Sequence, residues 1–258
     1  MSLLQSLLLG LLQGITEFLP ISSSGHLVLG EYFLNLEFES LKSFDVVLHV
    51  GSLLAILIYF YKDFSNIIKN IFNIKGQSAV FKLFIATIPA VIIGLTLEEQ
   101  IDSIFRNPKM IAIVMIFTGL IFFLSEKFPK DKDKTKISLK NMFLIGIAQA
   151  IAIIPGISRS GSTIAMGLFQ GIKREQAAKI SFMLGSIAIF GAGLLTSLKI
   201  EHNESETLSI EILLAGFISS LLASLLSISW LMKFLKNHKL NVFGGYLIMI
   251  GAITLIFI

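Results

Sequence analysis

The chain has 258 residues, of which 54% are hydrophobic and only 15% are charged, and its mean hydropathy is +0.83. This composition excludes an ordinary soluble domain and predicts a polytopic membrane protein. The sequence contains no cysteine, which excludes disulfides and thiol chemistry.

Apolar segments of two lengths follow one another along the chain. Six of them can each form a spanning helix. Two others are too long for one crossing of about 20 residues and too short for two. In chain order, the sequence predicts a first repeat over 1–126 (hairpin 2–30, spans at about 43–61, 82–97 and 110–126), a cytoplasmic lysine-rich linker over 127–141, and a second repeat over 142–258 (hairpin 142–170, spans at about 179–198, 212–232 and 240–258).

The two longer segments each contain one charged residue and a break near the middle. Glu17 is the only Asp, Glu, Lys or Arg in the first segment, and Arg159 is the only one in the second. Pro20 and Pro155, each followed by a serine–glycine run, interrupt the helical pattern. Broken backbone within a membrane is tolerated where protein buries it or where it lines a cavity, so we expect two re-entrant hairpins. A single kinked, tilted helix for each segment is the alternative.

The two halves of the chain repeat each other. Gln13 to Gly25 matches Gln149 to Gly161 at a constant offset of 136 residues, and the match places Ser23 over Arg159. Three crossings per half invert the second copy relative to the first, which brings the hairpin tips together near the bilayer midplane. The predicted fold is therefore an all-α polytopic membrane protein with an inverted-topology repeat, in which each half is a re-entrant helical hairpin plus three transmembrane helices.

The charges in the loops predict how the chain is oriented in the membrane. Basic loops at 62–82, 127–140 and 173–174 alternate with acidic loops at 31–39, 98–102 and 201–211. By the positive-inside rule the basic loops are cytoplasmic, so both termini and the acidic loops face outward. The net charge of +4 then reflects topology and anionic membrane lipids, and it does not indicate nucleic-acid binding.

The first hairpin tip combines a carboxylate, hydroxyls and an imidazole. Gln13 and Glu17 are one helical turn apart and share a face that points toward the tip. Pro20 is expected to end that helix. The residues expected to begin the next helix are the capping serines Ser22 and Ser23, followed by His26 in the first turn.

The second tip is typical of an anion site. Ser158 is the expected helix cap, and Arg159, Ser160, Ser162 and Thr163 surround the start of the helix. Free N–H groups at a helix N-terminus attract anions, and the arginine fork matches phosphate oxygens. The two tips together predict a phosphate pocket with a carboxylate, an imidazole and candidate hydroxyl nucleophiles.

Three motifs, in this order, resemble those of a known family. Gln13-x-x-x-Glu17, Pro20-Ile-Ser-Ser-Ser-Gly-His26 and Pro155-Gly-Ile-Ser-Arg-Ser-Gly-Ser-Thr163 are similar to the (E/Q)xxxE, serine–histidine and PGxSRSxxT motifs of the bacterial undecaprenyl-diphosphatases, also called bacitracin-resistance proteins. The similarity covers the whole chain. It implies a divalent cation and removal of the terminal phosphate from undecaprenyl diphosphate at the outer face of the bacterial cell membrane, which regenerates the lipid carrier for cell-wall synthesis. A homodimer is a further expectation.

The chemistry of these side chains suggests a role for each. Glu17 would be costly to bury without a cation, and Mg²⁺ or Ca²⁺ bound by Glu17, the Gln13 amide and the diphosphate would remove that cost. Arg159 would hold the terminal phosphate. The attacking group is Ser23 activated by His26, His26 itself, or water activated by His26. The residues expected to contact the phosphates are Ser22, Ser24, Gly25, Gly156, Ser158, Ser160 and Thr163.

Simpler interpretations stand beside these roles. Glu17 and Arg159 would alternatively form a structural salt bridge, and the hydroxyl residues would be only caps or small packing residues. His26 would then be a hydrogen-bonded core histidine. Asp45 and His49 are expected to be interfacial or structural.

Two other functions use similar features. A secondary transporter or lipid flippase would use the same inverted repeat without cleaving the lipid, although transport needs no nucleophile. A lipid phosphatase of the acid-phosphatase type would need a second histidine soon after its Ser-Arg, and residues 160–171 contain none.

Overall fold

The computed structural model describes residues 1–34, 36, 41–69, 78–105, 107–128, 137–199 and 208–257. Within these residues the regular secondary structure is all helical. The helices are α1 Leu3–Thr16, α2 Ser23–Phe33, α3 Lys42–Tyr59, α4 Tyr61–Lys69, α5 Ala79–Phe105, α6 Pro108–Ser125, α7 Leu139–Ile151, α8 Arg159–Phe169, α9 Arg174–Lys199, α10 Ile210–Asn237 and α11 Asn241–Phe257. Most of the predicted linker and the acidic residues Glu37, Glu39, Glu201, Glu204 and Glu206 lie outside the described residues.

Several helices have the length and composition of membrane spans. Helices α5, α6, α9 and α10 are long and apolar enough to cross a membrane, and α3 with α4 makes a fifth candidate if the bent pair is taken as one span. The bend of 77° lies at Phe60. The apolar run ends just after this bend, where Lys62 and Asp63 follow. Charged side chains are costly in a membrane interior. Helix α11 has 17 residues and is a shorter apolar helix. The protein is a multi-span helical membrane protein.

The two segments with a central break are hairpins. Gly30, near the end of α2, lies against Leu12 of α1, since a Cβ atom on Gly30 would be 2.8 Å from Leu12 Cδ2. In the second hairpin, the end of α8 returns to the start of α7, where Gln170 Nε2 donates to the Asn141 carbonyl at 3.3 Å. A single kinked helix would hold these residues far apart, so that alternative is wrong. Re-entry into the membrane stays a prediction.

The first helix of each hairpin packs against the other half of the chain. Helix α1 lies on α10 and α7 lies on α5, while α6 packs on α11 and α3 on α9. When each helix is replaced by its counterpart in the other half, the α1–α10 pair becomes the α7–α5 pair, and the α6–α11 and α3–α9 pairs become themselves. Small residues permit the close approach, since a Cβ on Gly10 would be 2.5 Å from the Gly216 carbonyl oxygen and one on Gly146 would be 2.2 Å from that of Ala86. The packing agrees with a two-fold repeat, whose inversion across the membrane stays a prediction.

A buried aromatic group attaches the first tip to the rest of the fold. Phe18, next to Glu17, is fully buried and meets Phe182 of α9 edge to face with the ring centroids 5.4 Å apart. Phe60, at the bend between α3 and α4, lies on the same Phe182 ring at 6.1 Å. Such packing of large side chains fixes the position of the adjacent carboxylate.

A mostly buried ion pair joins helix ends away from the tips. Arg174, which begins α9, donates through Nε and Nη2 to the two oxygens of Glu126 at 2.8 and 2.6 Å. The backbone N–H of Leu240, just before α11, donates to Glu126 Oε1 at 2.9 Å. This corner pair, Glu126–Arg174, therefore connects the ends of three helices.

Candidate functional site

The first tip is a tight turn that ends one helix and starts another. Helix α1 ends at Thr16 with Glu17 as its C-cap, so the expectation that Pro20 ends the helix is wrong. The last helical bond runs from the Glu17 N–H to the Gln13 carbonyl at 2.9 Å, and residues 17–20 form the turn. Ser22 is the N-cap of α2, as predicted, and it has a φ of 70°. A serine in this region costs about 1–3 kcal/mol and is typical of functional turns.

The second tip presents Arg159 at the start of α8. Ser158 caps this helix as predicted, accepting from the Gly161 N–H at 3.1 Å. Gly156 has a φ of +93°, and a Cβ atom there would be 2.8 Å from the Ile111 carbonyl oxygen, so the turn requires glycine. Ser160 Oγ donates to the Leu19 carbonyl of the first tip at 3.4 Å. The two tips therefore touch.

An ion pair joins the tips. Arg159 Nη2 donates to Glu17 Oε1, and both side chains are mostly buried, at 16% and 5% exposure. Gly185 of α9 makes room for the guanidinium, because a Cβ atom there would overlap Arg159 Nη1. Gly185 was not predicted as a site residue, although Gly185-Ser186 in the second half matches Gly51-Ser52 in the first.

The other carboxylate oxygen of Glu17 accepts two neutral donors. Ser23 Oγ donates to Glu17 Oε2 at 2.8 Å, and Gln13 Nε2 donates to the same oxygen at 3.0 Å. A buried carboxylate needs a cation and hydrogen-bond donors to offset desolvation. Here Arg159 supplies the cation. The Ser23 hydroxyl points its proton at the carboxylate, which can therefore act as its base.

His26 does not pair with Ser23. Its Nδ1 lies 2.9 Å from the Ser22 carbonyl and its Nε2 lies 2.9 Å from Tyr246 Oη. Since a carbonyl only accepts, Nδ1 bears a proton, and in the neutral ring Nε2 accepts from the tyrosine hydroxyl. The expected activation of Ser23 by His26 is therefore not the arrangement in the structure, where Glu17 takes that place. Tyr246, on α11, carried no signal in the sequence.

His49 is a site residue that the sequence analysis set aside as interfacial or structural. Its Nε2 lies 3.7 Å from Glu17 Oε2, and its Nδ1 lies 2.8 Å from the Asp45 carbonyl. A cavity of about 190 Å³ is lined by His49 and Asp45, together with Ser24 and Pro155. The sequence offered one signal, because His49 and Ser52 are three positions apart and so share a helix face. In the structure Ser52 lies 3.4 Å from Gln13, which places that face toward the site.

The remaining predicted phosphate contacts are near the tips, and most of their polar groups have local partners. Ser22 and Ser158 are caps, Gly25 donates its N–H to Ser22, and Thr163 donates to the Ser181 hydroxyl at 2.7 Å. Ser24 lines the cavity beside His49. Their contacts with phosphate stay predictions.

The protein alone offers only part of a cation site. Gln13 Oε1 is buried and has no hydrogen-bond partner within the described residues, which is the environment of an oxygen that a cation would satisfy. In the same residues, no group of three His, Asp or Glu side chains could hold a metal. Glu17 and Gln13 therefore fit a Mg²⁺ or Ca²⁺ ion only if the substrate supplies further oxygens.

Comparison with known proteins gives the family. The family model described as bacitracin resistance protein BacA matches residues 6–253. The chain belongs to the BacA family. An undecaprenyl-diphosphatase of Methanosphaera stadtmanae is 40% identical to it, over 99% of this chain and 98% of the relative. An undecaprenyl-diphosphatase of Thermosipho africanus is 41% identical over 96% and 97%, and undecaprenyl-diphosphatase 3 of Bacillus cereus is 38% identical over 99% and 97%.

Proposed function

We propose that this BacA-family protein is an integral membrane phosphatase that hydrolyses undecaprenyl diphosphate to undecaprenyl phosphate and inorganic phosphate. One observation carries the proposal: the Ser23 hydroxyl, the Glu17 carboxylate and the Arg159 guanidinium form one connected group across the two tips. The relatives named above are undecaprenyl-diphosphatases, and their names give no support to the flippase alternative. Hydrolysis of this lipid recycles the carrier for cell-wall synthesis.

The contacts favour Ser23 as the attacking group. Its oxygen would form a bond to the terminal phosphorus while its proton passes to Glu17 Oε2, 2.8 Å away. The bond from that phosphorus to the bridging oxygen breaks, and undecaprenyl phosphate leaves with the electron pair. Water then hydrolyses the phosphoserine and releases phosphate. Attack by His26 or by water are the alternatives, and the first is disfavoured because both ring nitrogens of His26 are already bonded.

Arg159 would change partners when substrate binds. Its guanidinium pairs with Glu17 in the structure, and a diphosphate would bring two charged phosphoryl groups to the same place. A fork that can hold phosphate oxygens while charge develops on them lowers the barrier to phosphoryl transfer. Glu17 and the Gln13 amide would hold a Mg²⁺ or Ca²⁺ ion that further neutralises the diphosphate.

The orientation inferred from the loops belongs to the same proposal. Both termini would face outward, the active site would be reachable from the outer face of the cell membrane, and a homodimer stays a prediction. A cysteine introduced as Lys132→Cys would have no background, because the chain has no other cysteine. It should react with a membrane-impermeant reagent only after the membrane is opened. Labelling in intact cells would overturn the orientation.

The proposed function is tested by phosphate release from undecaprenyl diphosphate by purified protein in detergent. We expect release by the wild type, and a loss of at least about 10³-fold in Ser23→Ala. Ser103→Ala is the control, because Ser103 is an exposed serine of α5 whose hydroxyl donates to the Gln100 carbonyl of its own helix, and its loss should leave turnover near wild type. Full activity of Ser23→Ala would exclude the serine and favour attack by water. Binding without release by the wild type would indicate a transporter.

A further inference from the structure

A second cavity lies between α5 and α7, and its lining is apolar throughout. We refer to it as the α5–α7 groove. Its volume is about 460 Å³, within the usual size range of ligand sites. Pro89, Ile92 and Ile93 form one wall, and Phe143 and Ile147 form the other. Ile92 and Phe143 are 55% and 44% exposed, so the groove opens toward the lipid.

The walls of the groove are held apart at fixed positions. Helices α5 and α7 touch at Gly146, where a Cβ atom would be 2.2 Å from the Ala86 carbonyl oxygen. They approach again near Ile153, whose Cδ1 would lie 3.8 Å from a Cβ atom placed on Gly94. Between these contacts Pro89 lies inside α5, where it has no backbone N–H to donate. The groove therefore lies between two places where the helices approach each other closely.

The groove and the small cavity at the candidate site lie on either side of one turn. Ile153 and Pro155, in the turn after α7, line the small cavity that also contains Ser24 and His49. Ile154, between them, lines the α5–α7 groove. A chain attached to a phosphate at the tips needs only to cross this turn to enter the groove.

We propose that the α5–α7 groove binds the isoprene units nearest the diphosphate, an inference that rests on the proposed function. An undecaprenyl chain is wholly apolar, as is the lining of the groove. The groove begins at the turn next to the reacting group, and its walls belong to two helices that touch at Gly146. Contact with the first units would position the diphosphate relative to Ser23 and Arg159, and it would distinguish long prenyl diphosphates from short ones.

The experiment fills the groove after the protein has folded. Ile92→Cys is purified and labelled with N-benzylmaleimide, which is feasible because the chain has no cysteine of its own. The matched control is Leu226→Cys with the same label, because Leu226 is a lipid-exposed residue of α10, at 73% exposure. Phosphate release is measured with prenyl diphosphates of one to eleven isoprene units, and kcat/KM is compared along this series.

In the unlabelled protein and in the labelled control, kcat/KM should rise with the first isoprene units. In labelled Ile92→Cys we expect kcat/KM for the long substrates to fall at least about tenfold while dimethylallyl diphosphate, with one unit, is unaffected. A kcat/KM independent of chain length, an equal loss on all substrates, or an equal loss in the control would overturn the groove. Absence of phosphate release from every substrate by the unlabelled protein would instead overturn the proposed function, and the groove with it.

Discussion

Among the described residues, two buried glutamate–arginine pairs can be compared, the tip pair Glu17–Arg159 and the corner pair Glu126–Arg174. In the corner pair, the arginine fork takes both carboxylate oxygens and the Leu240 N–H adds a third bond. In the tip pair, the arginine takes one oxygen. The other oxygen is shared by a serine hydroxyl and an amide.

The surroundings of a buried charge pair therefore indicate its role better than the pair itself. The corner pair is saturated by groups that cannot react, and it connects helix ends. The tip pair leaves a hydroxyl beside a carboxylate, and His49, 3.7 Å from that carboxylate, lines a cavity of about 190 Å³. We therefore expect mutations in the corner pair to change stability, and the equivalent mutations in the tip pair to change turnover.

The largest effect is expected for Glu17→Gln, which removes the proposed proton acceptor but keeps the shape of the side chain. Its kcat for phosphate release should fall about 10³-fold. Glu126→Gln is the control, and it should lower thermal stability while kcat per folded molecule stays near wild type. Equal losses of kcat in both variants would contradict the comparison.

Next in size is the effect of replacing each arginine by lysine. Arg159→Lys keeps the charge but loses the planar fork, so kcat/KM should fall about 10²-fold. Arg174→Lys should leave kcat/KM unchanged and lower the free energy of unfolding by about 1–2 kcal/mol, because one of its two bonds to Glu126 is lost. Thermal unfolding in detergent and phosphate release separate the two outcomes. Retention of full activity in Arg159→Lys would show that a point charge is sufficient.

A smaller effect distinguishes the two glutamines that the repeat places at equivalent positions. Gln13→Leu removes a hydrogen bond to the Glu17 carboxylate and should lower kcat/KM about tenfold. Gln149 is also buried, but neither atom of its amide has a hydrogen-bond partner in the described part of the chain. Gln149→Leu should keep full activity without lowering the melting temperature. A loss of activity in Gln149→Leu would place that amide in the site.

The smallest effect is expected for Tyr246→Phe. The hydroxyl donates to His26 Nε2, and its removal should slow phosphate release about fivefold or less, the value of one neutral hydrogen bond. His26→Ala in the Tyr246→Phe background should then cost no more than His26→Ala alone. Larger additional loss would show that Tyr246 acts independently of the histidine.

Local sequence patterns predicted much of the site, and residues that are distant in the chain were the ones missed. The capping serines Ser22 and Ser158 were recognised because a cap depends on neighbouring residues only. The approach of Glu17 to Arg159 followed from the repeat. The contact between Tyr246 and His26 depends instead on how distant helices pack, which spacing within one helix does not give.

The fold shows the same division. Hydropathy and the central prolines predicted the two hairpins and most spans. The bend at Phe60 was not predicted, because the sequence marks the end of the apolar run at Tyr61 but not the helix that continues beyond it in another direction. Exchange of hairpin helices between the halves, with α1 on α10 and α7 on α5, also depends on tertiary contacts between small residues.

The proposed mechanism requires the two hairpin tips to form one reacting unit. A double-mutant cycle across the tip pair measures directly whether Glu17 and Arg159 act together. Phosphate release under single-turnover conditions is measured for Glu17→Gln, Arg159→Gln and the double variant. If the tips act as one unit, the double variant should be within about tenfold of the slower single variant. Losses that multiply, so that each side chain acts independently of the other, would contradict the account.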